Sequence, residues 1–297
     1  MRVFVTGASG FIGSAVVSEL IAAGHEVLGL ARSDLSAHAV EAAGAQVHRG
    51  DLDNLESLRA GAESADGVIH LAFNHDFTNY AGAAETDRRA IDGLGEALAG
   101  SDRPFVVTSG LAGFALGRTM TEDDAADPYS PRASEQAALA FTSRGVRVSV
   151  LRLPPSVHGE GDHGFVPRLI DIAREKAVSG YPGTGSNRWP AVHRFDAARL
   201  FRLALESAPA GARLHAIGDE GVPVREIAGA IGRNLGLPVT SIASEAAADH
   251  FGWLGVFFSL DLPASSTVTR ELLGWRPTRL GLLEDLEQGG YFDDRAA

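Results

Sequence analysis

Three glycines spaced three residues apart stand near the start of the sequence, where the chain could bind a phosphate group. In "VFVTGASGFIGSAVV", Gly7 would permit a tight turn, Gly10 would let the backbone approach a pyrophosphate, and Gly13 would let a helix pack closely on a sheet. A turn with incidental glycines is the alternative, but a strand signal precedes the glycines and a helix signal follows them. The pattern predicts a dinucleotide phosphate loop lined by Thr6, Gly7, Ser9, Gly10, Phe11, Ile12 and Gly13.

The choice between NAD and NADP is expected to be made after the second predicted strand, in "EVLGLARSD". An acidic residue there would bind the ribose 2′-hydroxyl of NAD, whereas an arginine would meet the 2′-phosphate of NADP. Ala31 stands at the acidic position, and Arg32 and Ser33 follow it. We therefore predict NADP as the cofactor, with NAD less favoured. The alternative for Arg32 is a solvated loop arginine.

Residues able to position or protonate a substrate lie further along the chain. Ser109 follows the fifth predicted strand, Tyr129 lies in "DPYSPRASEQ", and Asp87 lies on the fourth long predicted helix. His163 in "GEGDHGF" and His193 in "WPAVHRFD" are candidates for substrate contact or acid-base chemistry. His193 has the alternative role of anchoring one lobe to the sheet. The histidines lack the spacing of a zinc site, so no metal is expected.

Short β-branched runs alternate with Ala- and Leu-rich stretches of helical length along the chain. This alternation predicts the strands and helices that must position the residues above. Six strand signals separated by such stretches predict an α/β fold with a Rossmann-type, doubly wound parallel sheet. After "LRLPP", Gly- and Pro-rich loops begin a smaller C-terminal lobe, and "ARLHAIG" predicts one strand that returns to the sheet. We expect residues 1–155 and 191–219 to form the NADP-binding domain, and residues 156–190 and 220–297 to form the substrate-binding lobe.

Five motifs resemble those of the extended short-chain dehydrogenase/reductase superfamily, in its epimerase/dehydratase branch. The motifs are "TGASGFIG", "GDL", "HLA", "TSG" and "LRLPPSVHG", and they occur in the family's order. The resemblance implies a Rossmann sheet with a small substrate lobe and NAD or NADP as cofactor. It also implies cofactor contacts from Asp51 and Leu52 at the adenine, from Leu71, Ala72 and Phe73 at the ribose, and from Pro154 and Val157 at the nicotinamide.

The family's proton-transfer pair, Tyr-x-x-x-Lys, is missing from this sequence. In an alignment without gaps, Pro131 takes the place of the tyrosine and Glu135 that of the lysine. The only lysine of the chain, Lys176, has Ile172 four residues before it. Asp87 also stands where the family usually has an asparagine. The sequence therefore predicts an atypical member with a changed set of catalytic residues.

Two sources of the missing proton stay open. Tyr129 could approach Ser109, with Arg132 or Arg118 supplying the positive charge that lowers a phenol pKa. Otherwise, substrate or water provides the proton. The resemblance favours an NADP-dependent oxidoreductase acting on a small carbonyl or alcohol. An NAD(P)-dependent epimerase or dehydratase and a non-catalytic NADP-binding sensor are the alternatives.

Composition narrows the range of partners. The 297 residues carry a formal net charge of −12, which argues against binding to nucleic acid, and they include no cysteine.

The sequence shows neither a signal peptide nor an apolar run of membrane-spanning length, so we expect a cytoplasmic location without membrane association. The apolar run "FGWLGVFFSL" is expected to cover the lobe or to contact a second copy in a homodimer. A small-molecule substrate is the remaining expected partner.

Overall fold

A computed structural model describes residues 1–75, 79–111, 117–126, 132–288 and 290–292. In chain order, its strands are β1 (Arg2–Thr6), β2 (Glu26–Ala31), β3 (Gln46–Arg49), β4 (Gly67–His70), β5 (Pro104–Gly110), β6 (Arg147–Leu153), β7 (Ser156–His158), β8 (Ser179–Pro182), β9 (Arg188–His193), β10 (Ala212–His215), β11 (Asp219–Pro223) and β12 (Val239–Ile242). Its helices are α1 (Phe11–Ala22), α2 (Asp34–Ala42), α3 (Leu55–Glu63), α4 (Tyr80–Leu98), α5 (Ser134–Ala140), α6 (Phe165–Lys176), α7 (Arg194–Ser207), α8 (Val224–Leu235), α9 (Ala247–Phe251), α10 (Leu254–Phe258), α11 (Thr267–Leu273) and α12 (Leu282–Gln288). No helix within these described ranges is long and apolar enough to cross a membrane.

A parallel sheet of seven strands in the order β10-β6-β5-β4-β1-β2-β3 forms the centre of the molecule. Apolar side chains of α1 and α7 cover one face, and those of α3, α4 and α5 cover the other. This arrangement confirms the predicted α/β fold with a doubly wound Rossmann-type sheet, and β10 is the returning strand. The strand order reverses between β1 and β4, because β2 and β3 extend the sheet on one side of β1 and the later strands extend it on the other side. Ligands of such sheets bind beyond the carboxyl ends of the strands at this point of reversal.

A smaller group of elements contains the three-stranded sheet β11-β9-β7 and the strand pair β12-β8. Side chains from α6, α8, α9, α10 and α12 form an apolar cluster of their own. Within the apolar run near residue 255, Phe251, Leu254 and Phe258 are buried in this cluster, whereas Trp253 and Val256 remain exposed. The run therefore covers the core of these elements and also leaves an apolar surface. The division at residues 155, 190 and 219 stays a prediction.

Candidate dinucleotide and catalytic site

The phosphate loop lies between β1 and α1, at the switch point of the sheet. Gly7 has a φ of +70°, and a Cβ atom there would lie 2.8 Å from the backbone nitrogen of Ala72. A Cβ atom on Gly13 would lie 1.9 Å from the carbonyl oxygen of Gly7, so that glycine keeps α1 close to its own loop. No side chain caps the N-terminus of α1 at Gly10. The backbone N–H groups of the first turn are thus available to an anion, and the loop fits a dinucleotide pyrophosphate.

Thr6 ties the phosphate loop to the segment after β4. Its Oγ1 accepts the backbone N–H groups of Leu71 and Ala72, each at 3.2 Å, and lies 2.8 Å from Nδ1 of His70. Since these N–H groups already donate to Thr6, its own hydroxyl hydrogen is directed to His70, and the imidazole proton lies on Nε2. Thr6 is fully buried. It therefore positions the segment expected at the ribose, and its own contact with the cofactor stays a prediction.

A buried hydrogen-bond relay continues from His70 to the start of α5. Nε2 of His70 donates to Oδ1 of Asp87 at 3.1 Å, and the hydroxyl of Ser134 donates to Oδ2 of the same carboxylate. Burial by itself would raise the pKa of Asp87. The hydrogen bonds from His70 and Ser134 and the charge of Arg132 outweigh burial and hold the Asp87 pKa below its usual value. We use "the relay" for the chain Thr6, His70, Asp87, Ser134 and Arg132.

Arg132 ends the relay at the carboxyl edge of the sheet. Its Nε donates to Oγ of Ser134 at 3.0 Å, and its Nη2 donates to the carbonyl oxygen of Thr108 at 3.3 Å. The guanidinium Cζ lies 4.0 Å from the centroid of the Phe73 ring. Phe73 follows β4 and Thr108 belongs to β5, so the cation is fixed beside the carboxyl ends of two neighbouring strands.

Ser109 lies at the same edge of the sheet, in β5. Its hydroxyl makes no hydrogen bond to any residue that the structure describes, so it is available to a substrate oxygen. Tyr129 and Pro131 lie outside the described residues. Arg118, one of two arginines considered as a partner for a phenol, instead forms an ion pair with Asp124. The structure thus brings Arg132, and not Arg118, to the relay.

A second phenol at this site was missed in the sequence. Tyr80 begins α4, and its ring centroid lies 6.1 Å from that of Phe73. Burial raises the pKa of Tyr80, the charge of Arg132 lowers it, and the charge of Asp87 raises it, with a net increase above the usual value. A phenol with a raised pKa stays protonated near neutral pH and can donate a hydrogen bond. Its only sequence signal was its position at the start of the helix that carries Asp87.

Glu135, which aligns with the family's lysine, takes part in a buried ion pair and makes no contact with the relay's carboxylate. Its two oxygens accept hydrogen bonds from Arg152 at 2.8 and 2.9 Å, and Nε of Arg213 donates to it at 2.6 Å. Arg152 belongs to β6 and Arg213 to β10. Glu135 therefore fixes α5 to the edge of the central sheet, and this position serves packing.

The residues expected near the adenosine lie after β2 and β3. Arg32 is exposed directly after β2 and forms no ion pair with any described residue. The hydroxyl of Ser33 caps α2. Oδ1 of Asp51 accepts two backbone N–H groups of its own turn, each at 2.9 Å, and Leu52 packs against the apolar layer under α3. In this region, Arg32 is the cationic residue whose side chain forms no ion pair with any described residue.

The segment after β6 carries the residues expected at the nicotinamide and the substrate. Pro154 is buried and Val157 is partly buried in β7. The exposed ring of His163 packs edge-on against Phe11 of the phosphate loop, with centroids 5.7 Å apart. Nδ1 of His193 accepts the backbone N–H two residues further on, which caps α7, and burial lowers the His193 pKa. His193 thus caps α7, and both histidines line a cavity of about 710 Å³. The two suggested roles of His193, contact with the substrate and attachment of one lobe to the sheet, stay predictions.

The fold and the glycine loop define a Rossmann-type α/β protein, and comparison with known proteins identifies its family. Residues 3–217 match the NAD dependent epimerase/dehydratase family, and the chain belongs to it. An uncharacterized protein of Schizosaccharomyces pombe is 51% identical over 295 residues, which cover 98% of this chain and 100% of that protein. The 4-hydroxy-2-methyl-3-oxo-4-farnesyl-3,4-dihydroquinoline-1-oxide ketoreductase of Stigmatella aurantiaca is 32% identical over 225 residues, 71% of this chain and 66% of that one. The structure of the dTDP-glucose 4,6-dehydratase of Streptomyces venezuelae has the same fold, with a TM-score of 0.78 at 23% identity over 98% of this chain and 96% of that one.

Proposed function

We propose that the protein is an NADP-dependent oxidoreductase that transfers hydride between the nicotinamide and a small carbonyl or alcohol substrate. The observation that carries this proposal is the relay, which ends in the Arg132 guanidinium at the sheet edge that also carries the phosphate loop. Membership of the family supports a nicotinamide dinucleotide as cofactor, and the uncommitted Arg32 supports NADP. The ketoreductase of Stigmatella aurantiaca supports carbonyl reduction. A bound nicotinamide would supply the hydride.

The residues of this chain would bind the cofactor and stabilise charge on the substrate. The phosphate loop and the N-terminus of α1 would hold the pyrophosphate, and the backbone after β4, fixed by Thr6, would hold the ribose. The Ser109 hydroxyl would donate a hydrogen bond to the carbonyl oxygen. The Arg132 cation would stabilise the negative charge that develops on that oxygen, because a fixed positive group in a partly buried site needs no reorganisation.

The proton that this oxygen receives would come from a phenol or from water. Tyr129 remains a candidate, and Tyr80 is the phenol that the described structure brings near Arg132 and Asp87. Replacing each tyrosine singly with phenylalanine distinguishes the sources, since loss of the donor lowers kcat while cofactor affinity is retained. If neither replacement affects kcat, the donor is not a phenol, and water, the substrate or a histidine such as His163 takes that role.

Two other functions are each favoured by one observation. Membership of the epimerase/dehydratase family favours an epimerase or dehydratase in which the cofactor is reduced and reoxidised within one turnover. The absence of Tyr-x-x-x-Lys from the sequence favours a sensor that binds NADP without turnover. Both share the dinucleotide site with the leading proposal and differ in what happens to the cofactor.

A screen of purified protein against a panel of aldehydes and ketones separates the three functions when NADPH absorbance and conversion of the compound are both measured. The proposal predicts stoichiometric loss of NADPH and formation of the alcohol. An epimerase or dehydratase would convert its substrate with no net change in NADPH. Tight NADPH binding with no conversion of any compound in the panel would support the sensor and contradict the oxidoreductase.

The cofactor preference is testable at Arg32. Wild-type protein is expected to bind NADPH more tightly than NADH, because a guanidinium can pair with the 2′-phosphate through two hydrogen bonds. Arg32→Ala should reduce this preference about 10- to 100-fold, the value of hydrogen bonds to a charged group. Isothermal titration calorimetry with both cofactors measures it, and Arg168→Ala on α6 is a control that should keep the preference. Equal affinity of wild-type protein for the two cofactors would contradict the assignment.

The role of Ser109 predicts a loss of activity without a loss of cofactor binding. Ser109→Ala should lower kcat/KM for a reduced ketone about 10- to 100-fold, because one hydrogen bond to a developing charge is lost. NADPH affinity and melting temperature should match those of wild type. Ser143→Ala removes another serine hydroxyl, which bonds only to the Ala140 carbonyl among the described residues, and should have no effect. Unchanged kcat/KM in Ser109→Ala would show that this hydroxyl does not bind the substrate.

A further inference from the structure

A second arginine lies close to Arg32, at the edge of the sheet where the adenosine is expected. Arg49 is the last residue of β3, and in the parallel pairing of β2 with β3 it lies opposite Ala31, the last residue of β2. The two strands therefore end level with each other, and Arg32 is the next residue after β2. In Rossmann-type proteins, residues at the end of the second strand meet the ribose 2′ position. Arg49 approaches the same region from the neighbouring strand.

The side chain of Arg49 extends from the end of β3 to the start of α2. Its Nη2 donates to Oδ1 of Asp34 at 2.7 Å, and Asp34 is the first residue of α2. The short turn between β2 and α2 consists of Arg32 and Ser33. The contact with Asp34 therefore holds the guanidinium of Arg49 beside this turn, at the carboxyl edge of the sheet that also carries the phosphate loop.

The ion pair with Asp34 uses only part of the hydrogen-bonding capacity of Arg49. A guanidinium carries five N–H donors in one plane, and among the described residues Arg49 donates to Asp34 alone. The Arg49 side chain is 55% exposed and that of Asp34 is 86% exposed. An ion pair in such a position contributes little to stability, because water screens its charges. Arg49 can therefore bind a second anion at little cost.

The carboxylates of this region make a second cation necessary for a phosphate ligand. Asp34 and Asp51 both lie near the ends of β2 and β3, and each carboxylate would repel a phosphate. The carboxylate of Asp51 accepts two backbone N–H groups of its own turn, whereas that of Asp34 is bound by Arg49. Arg32 by itself would face two negative charges. Arg32 and Arg49 together balance them before the ligand binds.

We propose that Arg49 is a second determinant of cofactor specificity, whose guanidinium neutralises Asp34 and donates hydrogen bonds to the 2′-phosphate of NADP beside Arg32. This inference rests on the proposed preference for NADP. A guanidinium suits this role because two of its N–H groups can pair with two oxygens of one phosphate. The alternative is that Arg49 serves Asp34 alone, as a surface ion pair at the end of β3.

Calorimetry with NADPH and NADH tests the proposal, because the two cofactors differ only in the 2′-phosphate. Arg49→Ala should weaken NADPH binding about tenfold, the low end for hydrogen bonds to a charged group, and should leave NADH binding unchanged. Arg2→Ala is the matched control. Arg2 donates to Gln46 at the opposite end of β3, at 3.2 Å, so its removal should keep both affinities. An Arg49→Ala protein that binds NADPH as wild type does, or that loses affinity for both cofactors equally, would overturn the proposal.

The variant Asp34→Asn separates contact with the phosphate from neutralisation of Asp34. If Arg49 contacts the 2′-phosphate, the double variant Asp34→Asn/Arg49→Ala should bind NADPH about tenfold more weakly than Asp34→Asn does, because the contact is lost although no carboxylate is left to neutralise. Equal NADPH affinities of these two variants would assign Arg49 to Asp34 alone and overturn the proposal.

Wild-type protein and Arg32→Ala separate a failure of this inference from a failure of the proposed function. Wild-type protein that binds the two cofactors equally would contradict the NADP assignment and this inference with it. A preference for NADPH that Arg32→Ala reduces and Arg49→Ala retains would overturn this inference alone. These measurements record binding, so they hold whether or not the protein turns over a substrate.

Discussion

Replacing Arg132 with leucine is expected to lower kcat for carbonyl reduction about 10²- to 10³-fold, the usual loss when one group that stabilises a developing oxyanion is removed. The physical reason is that Arg132 is the cation held at the carboxyl ends of β4 and β5, by Ser134, by the Thr108 carbonyl and by the Phe73 ring. NADPH affinity should stay close to that of wild type, because the phosphate loop is not altered. Steady-state kinetics and calorimetry on the same preparations measure both quantities.

Arg118→Leu is the matched control for this prediction. It removes another guanidinium of the chain between β5 and α5, but that group is paired with Asp124, so kcat should be retained. Arg132→Lys should keep more activity than Arg132→Leu but less than wild type. It keeps the charge but loses the planar geometry that reaches Ser134 and Thr108 together. If Arg132→Leu keeps its kcat, or if both arginine variants lose it equally, Arg132 has no specific part in the reaction.

Replacing Glu135 with alanine is expected to lower the free energy of unfolding by about 3–5 kcal/mol, the cost of leaving one member of a buried ion pair without its partner. Arg152 is fully buried, and in this variant it would lose two hydrogen bonds from its guanidinium to the carboxylate. Arg213 would lose its hydrogen bond as well. Urea denaturation followed by circular dichroism measures the change.

Glu96→Ala serves as the control for Glu135. Glu96 pairs with Arg144 at the surface, where water screens the charges, and its removal should have a much smaller effect on stability. Glu135→Lys, which restores the family's residue type, should destabilise at least as much as Glu135→Ala because it places a cation beside two arginines. A fully stable Glu135→Lys protein would show that the Glu135 position does not serve packing.

Much of the fold followed from local patterns in the sequence. The alternation of β-branched and Ala-rich runs predicted the parallel sheet, because buried strands and covering helices each impose a periodicity on the chain. The spacing of Gly7, Gly10 and Gly13 predicted the phosphate loop, and the structure shows the backbone approaches at Gly7 and Gly13 that no larger residue permits. Such features depend on neighbours within a few residues, so the sequence alone could determine them.

The arrangement of the catalytic candidates depended on tertiary structure. Asp87 was chosen by alignment, but its contacts with His70 and Ser134 join three separate elements, and no local pattern encodes that distance. The sequence likewise offered Arg118 and Arg132 as equal candidates, and the packing of the segment before α5 decided between them. Side-chain direction also assigned Glu135 to an ion pair with β6 and β10, at a position where alignment predicted a lost catalytic group. What the sequence by itself determined was therefore the sheet and the place of the glycine loop. Which charges meet beside that loop was decided by long-range packing, because residues far apart in the chain become neighbours only when helices settle on the sheet.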